Sequence, residues 1–249
     1  MAERIGQIGT TPLAYRALDG TKTGIMFFCG FHSDMTGAKA EYLAGWCVRH
    51  DHAFVRFDYS GHGASGGRFA EGTIGQWLQD AEAVLLTLTT GPQILVGSSM
   101  GGWIALLLAL RHPDRVAGLV GIAAAPDFTE DLMWAQFPPD IRALILTKGQ
   151  WERVSPYGAS YPITRRLILE GRQHLLLNTT IPLNIPIRLL HGQADLDVPW
   201  PRSLALAEAI VSSNVEITLV KGGDHRLSTP ENLDLLGRVL TTLFGQDRA

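Results

Sequence analysis

Short β-rich apolar runs alternate with helical patterns along most of the chain, and this alternation constrains the possible folds more than any other feature. The predicted strands cover 24–29, 53–57, 93–97, 117–123, 187–190 and 215–220, and the predicted helices cover 36–49, 75–88, 100–111, 204–211 and 233–244. Strands that alternate with helices form a mostly parallel sheet flanked by helices, which is the α/β class. The leading segment, about 5–18, is expected to add antiparallel strands at one edge.

One region, 127–185, interrupts this alternation. It contains prolines, weak helical patterns and no strong strand pattern, and its aromatic residues include Trp134, Phe137, Trp151, Tyr157 and Tyr161. Connections of this length usually have a function of their own. We therefore expect 127–185 to form a small helical lid over a core built from 1–126 and 186–249. The alternative is an irregular but packed connection.

The composition excludes several other classes of protein. The 249 residues include 21 Lys and Arg and 24 Asp and Glu, a net charge of −3, without the basic stripe of a general nucleic-acid binder. The longest apolar runs, 103–110 and 119–126, are too short for stable membrane insertion, which needs ~20 residues. Two cysteines, Cys29 and Cys47, suggest neither a disulfide framework nor a metal cluster. The first residues lack the pattern of a secretory signal, so we expect a cytoplasmic protein.

The strongest local signal is the pentapeptide Gly97-Ser98-Ser99-Met100-Gly101, which lies directly between a predicted strand and a predicted helix. It fits the Gly-x-Ser-x-Gly pattern of a nucleophile on a sharp strand-to-helix turn, where the positions two before and two after must be small. Ser99 is therefore the candidate nucleophile. The alternative is a glycine-rich turn with incidental serines.

A serine hydroxyl needs a base, and the base needs an acidic partner that orients it. His225 follows the last predicted strand, at the carboxyl end of the sheet, where sites of open α/β sheets form. Asp195 follows the preceding strand and is the candidate acid. Spacing alone leaves Asp197 and Asp127 open as alternatives, whereas Asp224 is adjacent to the histidine and poorly directed toward its ring.

Two backbone N–H groups are expected to form an oxyanion hole. One is that of Met100, which follows the nucleophile, and the other is that of Phe31, in the loop after the first parallel strand, where Gly30 lets the chain turn. A second glycine-rich loop, 58–67, lacks the lysine and the immediate helix of a phosphate-binding loop. We interpret it as a loop that supports the site, with Asp58 in a structural role.

These residues resemble the α/β-hydrolase superfamily. The closer likeness is to mitochondrial α/β-hydrolases that act as palmitoyl-protein thioesterases and acyl-glucuronide esterases, and it is carried by the strings RFDYSGHGAS, GPQILVGSSMGGW, PIRLLHGQAD, DVPW and DHR. The resemblance implies a triad of Ser99, Asp195 and His225, oxyanion donors at Phe31 and Met100, and an acyl ester or thioester substrate. Members of that branch carry a targeting peptide, and its pattern is missing here, which again favours the cytoplasm.

The expected activity is that of a serine hydrolase that cleaves ester or thioester bonds of small-molecule or acylated substrates through an acyl-enzyme. It requires neither a metal nor a cofactor. Acyl transfer or C–C bond hydrolysis could use the same triad. A receptor without catalytic activity is disfavoured because all three candidate triad residues are present, although a fold does not by itself determine function.

Overall fold

The computed structural model describes residues 3–154 and 160–245, and an eight-stranded sheet forms its centre. The strands of this sheet are β1 Glu3–Ile8, β2 Leu13–Leu18, β3 Lys22–Phe28, β4 His52–Phe57, β5 Gln93–Ser98, β6 Val116–Ile122, β9 Ile187–Gly192 and β10 Val215–Val220. A separate antiparallel pair consists of β7 Gln150–Arg153 and β8 Tyr161–Thr164.

Seven α-helices surround or cover the sheet in the described ranges. They are α1 Ala38–His50, α2 Ile74–Leu88, α3 Met100–Arg111, α4 Pro139–Lys148, α5 Arg165–Gly171, α6 Pro201–Ala209 and α7 Pro230–Gly245. Short 3₁₀ turns cover Phe69–Glu71, Pro113–Arg115, Trp134–Gln136 and Arg172–His174, and one π-helical turn covers Thr129–Met133.

The strand order of the main sheet is β1-β2-β4-β3-β5-β6-β9-β10. The six strands from β3 to β10 in this sheet are parallel. As the sequence predicts, β1 and β2 add antiparallel strands at one edge. Because connections between parallel strands are right-handed, the reversal of strand order after β4 places α1 on one face and both α2 and α3 on the other. The neighbouring strands β3 and β5 therefore lead to opposite faces, which leaves a crevice at their carboxyl ends.

The centre of the core lies between β5 and α3. Every residue of β5 is buried, and Met100–Ala109 of α3 are buried on all sides. The aliphatic run of α3 is therefore explained by burial on both of its sides, against the sheet and against α2. The indole N–H of Trp103 donates a 3.0 Å hydrogen bond to the His174 carbonyl, which anchors the segment 127–185 to this central helix.

The segment 127–185 is not purely helical. Its helices α4 and α5 are separated by the β7–β8 pair, which the sequence did not predict because each strand has four residues. Gly149, at φ +85°, ends α4 and lets the chain turn into β7. The segment stays a predicted lid, and Tyr157 lies outside the described residues.

The start of one core helix differs from that expected. Helix α6 begins at Pro201, three residues before the predicted start, because its apolar pattern begins only after the first turn. Helix α7 begins at Pro230, and the sequence predicts this start from Thr229 and Pro230, a capping residue followed by a first-turn proline, although its apolar pattern begins only at 233. A proline at the first helical position loses no hydrogen bond, which explains why both helices begin there. Among the described residues, no helix combines the length and the hydropathy that a membrane span needs.

Candidate active site

Ser99 lies in a strained turn between β5 and α3, with φ 54° and ψ −120°. The chain is held there by close packing on both sides of the serine. A Cβ atom on Gly97 would lie 2.4 Å from the Gly101 carbonyl oxygen, and one on Gly101 would lie 2.2 Å from the Phe28 carbonyl oxygen. The structure thus gives the steric reason for both glycines that the sequence pattern requires.

The three side chains predicted as a triad lie together at the carboxyl end of the sheet. His225 Nδ1 is 2.7 Å from Asp195 Oδ2, and His225 Nε2 is 3.1 Å from Ser99 Oγ. Because a carboxylate only accepts hydrogen bonds, Nδ1 carries the proton and donates it toward Asp195. Nε2 is then free to accept a hydrogen bond from the Ser99 hydroxyl, which is the arrangement a general base needs.

The Asp195 carboxylate is held ionised by several donors. Its Oδ1 accepts hydrogen bonds from the backbone N–H groups of Asp197 at 2.9 Å and Val198 at 2.8 Å. Burial by itself would raise the pKa of Asp195, but the hydrogen bonds from His191, His225 and the Val198 N–H outweigh it and hold the pKa well below its usual range. Asp195 therefore faces His225 as a fixed negative charge across the neutral pH range.

His191 is a buried residue of the site that the sequence analysis did not single out. Its Nε2 lies 2.9 Å from the Val198 carbonyl, which can only accept, so this nitrogen carries a proton. The same Nε2 is 3.3 Å from Asp195 Oδ2, and Nδ1 lies 2.7 Å from the Ser203 hydroxyl. His191 thus supports the acid from behind. The only signal in the sequence was its place four residues before Asp195, within the string PIRLLHGQAD that resembles the family.

Asp127 and Asp224, which the sequence left open or disfavoured as the acidic partner of His225, bind backbone N–H groups elsewhere. Asp127 accepts hydrogen bonds from the N–H groups of Leu176 and Leu177, both at 2.8 Å, and so joins the beginning of the 127–185 segment to its end. Asp224 accepts a 2.9 Å hydrogen bond from the Leu227 N–H. Neither carboxylate is bonded to the His225 ring, and Asp197, the other alternative, donates its backbone N–H to Asp195 Oδ1. The 2.7 Å hydrogen bond between His225 Nδ1 and Asp195 Oδ2 selects Asp195 as the partner of the ring.

Both predicted oxyanion donors lie beside Ser99. Phe31 and Met100 line the same cavity as the serine, and among the described residues no acceptor for their backbone N–H groups is found. A Cβ atom on Gly30 would lie 3.5 Å from the Ser99 Cβ, which shows how closely the loop after β3 approaches the nucleophile. The oxyanion hole at Phe31 and Met100 stays a prediction, and both residues lie in the wall of the cavity that contains Ser99.

The cavity in front of Ser99 has a volume of about 650 Å³, within the range of small-molecule sites. Phe31, Phe128 and Tyr161 line this cavity. The ring of Phe31 also belongs to a wider aromatic cluster, since it contacts the rings of Phe69, Trp77, Phe128 and Tyr161 at centroid distances of 5.0–5.8 Å. The segment 127–185 adds lining side chains, namely Phe128, Leu132, Met133, Arg153 and Tyr161. The predicted lid segment therefore forms part of the wall next to the nucleophile.

Asp195, Asp197 and His225 offer ligand atoms within 4.8 Å of one another, a spacing at which a metal ion could bind. Asp195 Oδ2 and His225 Nδ1 already form a 2.7 Å hydrogen bond, so an ion bound by these two atoms would displace the proton between them. The same carboxylate and imidazole cannot serve both as a metal site and as a base pair at once. The sequence expectation of a reaction without metal or cofactor stays an expectation.

Comparison with known proteins identifies the family. Residues 20–157 match the family model Hydrolase_4, described as serine aminopeptidase, S33. The chain is 42% identical over 226 residues to the rat palmitoyl-protein thioesterase ABHD10, mitochondrial, which covers 90% of this chain and 76% of that protein. Among solved structures, mouse alpha/beta hydrolase domain-containing protein 10 matches with a TM-score of 0.90 at 39% identity, covering 99% of both chains. A hydrolase from Agrobacterium vitis S4 matches with a TM-score of 0.91 at 37% identity, covering 97% of both.

The chain belongs to the α/β-hydrolase family. It is a serine hydrolase of the carboxylesterase or thioesterase type, which confirms the class expected from the strand-turn-helix position of Ser99. The rat, mouse and human relatives are named as mitochondrial proteins, so the expectation of a cytoplasmic location was wrong. That expectation relied on a missing targeting pattern in the first residues, and such a missing pattern does not specify a compartment.

Proposed function

We propose that this protein is an acyl-protein or acyl-small-molecule thioesterase that prefers long acyl chains and uses Ser99, His225 and Asp195 as its catalytic triad. The observation that carries the proposal is the hydrogen-bonded chain from Asp195 through His225 to Ser99, which opens into an aromatic-lined cavity. The relatives named as palmitoyl-protein thioesterases support the same substrate class.

In the proposed acylation step, Ser99 Oγ attacks the thioester carbonyl carbon while its proton passes to His225 Nε2. The carbonyl π electrons move onto oxygen, and the Phe31 and Met100 N–H groups stabilise that oxyanion. Asp195 stabilises the imidazolium that forms. As the oxyanion collapses, the C–S bond breaks, and the proton on Nε2 passes to the leaving thiolate. The products of this step are a free thiol and an acyl-Ser99 ester.

In the proposed deacylation step, a water molecule enters the position that the thiol has left. His225 Nε2 removes a proton from this water as its oxygen attacks the acyl-Ser99 carbonyl, and the same two N–H groups stabilise the second oxyanion. Its collapse breaks the ester C–O bond and returns the proton from His225 to Ser99 Oγ. The fatty acid is released and the enzyme is restored.

The acyl chain would be bound by burial against the aromatic and aliphatic wall of the cavity. Each buried CH₂ stabilises the complex by ~0.8 kcal/mol, equivalent to about fourfold in affinity. The aromatic cluster around Phe31 and the side chains Leu132 and Met133 offer such a surface. We therefore expect kcat/KM to increase with acyl length until the cavity is filled.

The test uses acyl-thioester substrates of graded chain length, with the purified protein, its variant Ser99→Ala and a matched control variant, Ser213→Ala. Ser213 is an exposed serine before β10, so its variant should retain full activity. Ser99→Ala should lower kcat by about 10⁴-fold or more, because the nucleophile is lost. Undiminished activity of Ser99→Ala would contradict the triad. Rates that fall with every added carbon from the acetyl thioester onward would contradict the long-chain preference.

A further inference from the structure

His62 is a buried histidine for which neither the family resemblance nor the proposed reaction step has a role. It lies in the glycine-rich loop after β4, between Gly61 at φ +76° and Gly63 at φ +46°. Its side chain is buried against Tyr59, Phe69 and Trp77, with ring centroids 5.1–5.6 Å away. The imidazole is thus enclosed by aromatic rings directly behind the loop that carries Phe31.

The hydrogen bonds of this ring define its tautomer. Nδ1 lies 3.3 Å from the Ser60 carbonyl, which only accepts, so Nδ1 carries the proton. Nε2 lies 3.3 Å from the backbone N–H of His32 and accepts from it. Burial is the main cause that lowers the pKa of His62 to about 4, with the nearby His32 lowering it further and Asp34 opposing. The ring is therefore neutral near pH 7, and its lone pair faces the loop.

The N–H that His62 accepts belongs to the middle of a tight turn. The Ser33 N–H donates a 3.2 Å hydrogen bond to the Gly30 carbonyl, so Phe31 and His32 are the two central residues. His32 has φ +55°, in the left-handed region that favours glycine. A positive φ at this position is typical of a type II turn, whose central peptide is flipped relative to type I. An acceptor for the His32 N–H favours one orientation of that peptide.

The same glycine-rich loop contacts the segment after β3 at a second point. Asp58 accepts a 2.7 Å hydrogen bond from the Met35 N–H and a 2.8 Å hydrogen bond from the Ala64 N–H. A Cβ atom on Gly63 would lie 2.1 Å from Asp58 Oδ2, so glycine is required for this approach. Residues 58–64 therefore hold the segment 30–35 at two points. Asp58 accepts the Met35 N–H, and His62 accepts the His32 N–H next to Phe31.

We propose that His62 is a positioning residue for the oxyanion hole, whose neutral imidazole accepts the His32 N–H and so holds the turn that presents the Phe31 N–H to the reacting carbonyl. The proposal rests on the proposed function, because it assigns the Phe31 N–H to the oxyanion. His62 touches neither the substrate nor Ser99. It acts through the backbone of the turn, so its loss should weaken binding of the transition state and leave binding of the substrate nearly unchanged.

The test compares His62→Phe with His62→Gln. Phenylalanine keeps an aromatic ring among the surrounding rings but has no acceptor, whereas the glutamine amide oxygen can reach the position of Nε2. Loss of a whole oxyanion donor lowers kcat by about 10²–10³-fold, and a displaced donor should cost less. We expect His62→Phe to lower kcat by about tenfold or more with little change in KM, and His62→Gln to restore most of it.

A transition-state analogue separates positioning from a general structural role. An n-octylboronic acid would bond to Ser99 as a tetrahedral adduct with an oxygen in the oxyanion hole, whereas 1-octanol has the same chain and no negatively charged oxygen for that hole. In His62→Phe, the boronic acid should bind more weakly by the same factor by which kcat falls, and competitive inhibition by 1-octanol should be unchanged. Should His62→Phe not fold, His62→Asn replaces it, because its shorter amide does not reach the His32 N–H.

The possible outcomes are distinct. Equal losses in the acceptor-containing His62→Gln and the acceptor-free variant would overturn the proposal, since the acceptor would then not matter. Unchanged boronic-acid binding in the acceptor-free variant would also overturn it. If instead the boronic acid does not inhibit the wild-type enzyme, or if Ser99→Ala is fully active, the proposed function itself fails.

Discussion

At the scale of single residues, the carboxylates of Asp195 and Asp127 have different roles because their hydrogen-bond partners differ. Both carboxylates accept two backbone N–H groups, but only Asp195 also accepts the His225 Nδ1–H. Burial is the largest cause acting on both groups, and it leaves the pKa of Asp127 raised, whereas the added imidazole donors leave the pKa of Asp195 lowered. One carboxylate therefore orients a base, and the other joins two ends of a segment.

This contrast predicts different effects of the same substitution. Asp195→Asn should lower kcat by about 10⁴-fold, because an amide at this position can donate to His225 Nδ1 and favour the wrong tautomer. Asp127→Asn is the matched control and should instead lower the free energy of unfolding by roughly 1–2 kcal/mol, with kcat nearly unchanged. Steady-state kinetics and urea unfolding of both variants provide the measurement. A loss of kcat in Asp127→Asn as large as that in Asp195→Asn would contradict the assignment.

Ser99, His225 and Asp195 could be chosen from the sequence because each follows a predicted strand, and parallel strands end at one edge of a sheet. His191 could not be chosen in this way, because it acts only through Asp195 and its own position within β9 looks like part of a buried strand. His62 was hidden for a similar reason. Its partner is a backbone N–H thirty residues away, and no spacing rule connects the two.

At the scale of elements, the contact between β3 and the start of α3 determines where the nucleophile stands. Gly101 packs so closely on the end of β3 that a Cβ atom would meet the carbonyl oxygens of both Phe28 and Cys29, at 2.2 and 2.6 Å. These oxygens are backbone atoms at the carboxyl end of a central strand, so they cannot move aside without disturbing the sheet. The same strand continues into the turn with Phe31, which links the helix position to the oxyanion hole.

Gly101→Ala is therefore expected to lower both stability and activity. Overpacking of this kind typically costs 1–3 kcal/mol, and we expect about 3 kcal/mol here because backbone must shift. The matched control is Gly45→Ala in α1, where the added Cβ meets only the flexible Arg49 guanidinium, at 3.3 Å. That variant should gain up to ~1 kcal/mol from helix propensity and keep its kcat. Urea unfolding and kcat measured together decide the outcome, and a Gly101→Ala enzyme with full activity would contradict it.

The elements inside 127–185 illustrate what periodicity cannot detect. Strands β7 and β8 have four residues each, too few for an alternating pattern to stand out, and α5 has seven. These short elements are instead stabilised by contacts with the core. One such contact is the hydrogen bond that the Gly75 N–H, at the start of α2, donates to the Glu170 carboxylate. By contrast, the apolar helix α3 and the buried strand β5 were predicted within a residue or two, because burial imposes a continuous apolar run.

At the scale of the whole molecule, titration of buried histidines couples the site to global stability. The pKa of His62 is lowered by burial from 6.5 to about 4, and that of His52 is lowered by the same main cause. Between these values the unfolded chain binds a proton that folded His62 does not, so the contribution of His62 lowers the stability as the pH decreases from about 6.5 to about 4. Asp58 and Asp127, whose pKa values are raised mainly by burial, act in the opposite direction at the acidic end.

Replacing His62 should flatten this acid dependence. Since one pKa unit corresponds to ~1.4 kcal/mol, the shift of His62 amounts to roughly 3 kcal/mol in total, and about 2 kcal/mol should be lost between about pH 7 and about pH 4.5. Glutamine does not titrate, so His62→Gln lacks this contribution. Between about pH 7 and about pH 4.5, its free energy of unfolding should therefore decrease by about 2 kcal/mol less than that of the wild-type protein. Urea unfolding of both proteins at several pH values measures the difference. Parallel curves for the two proteins would show that folding does not lower the pKa of His62, which would contradict its enclosure as a neutral ring.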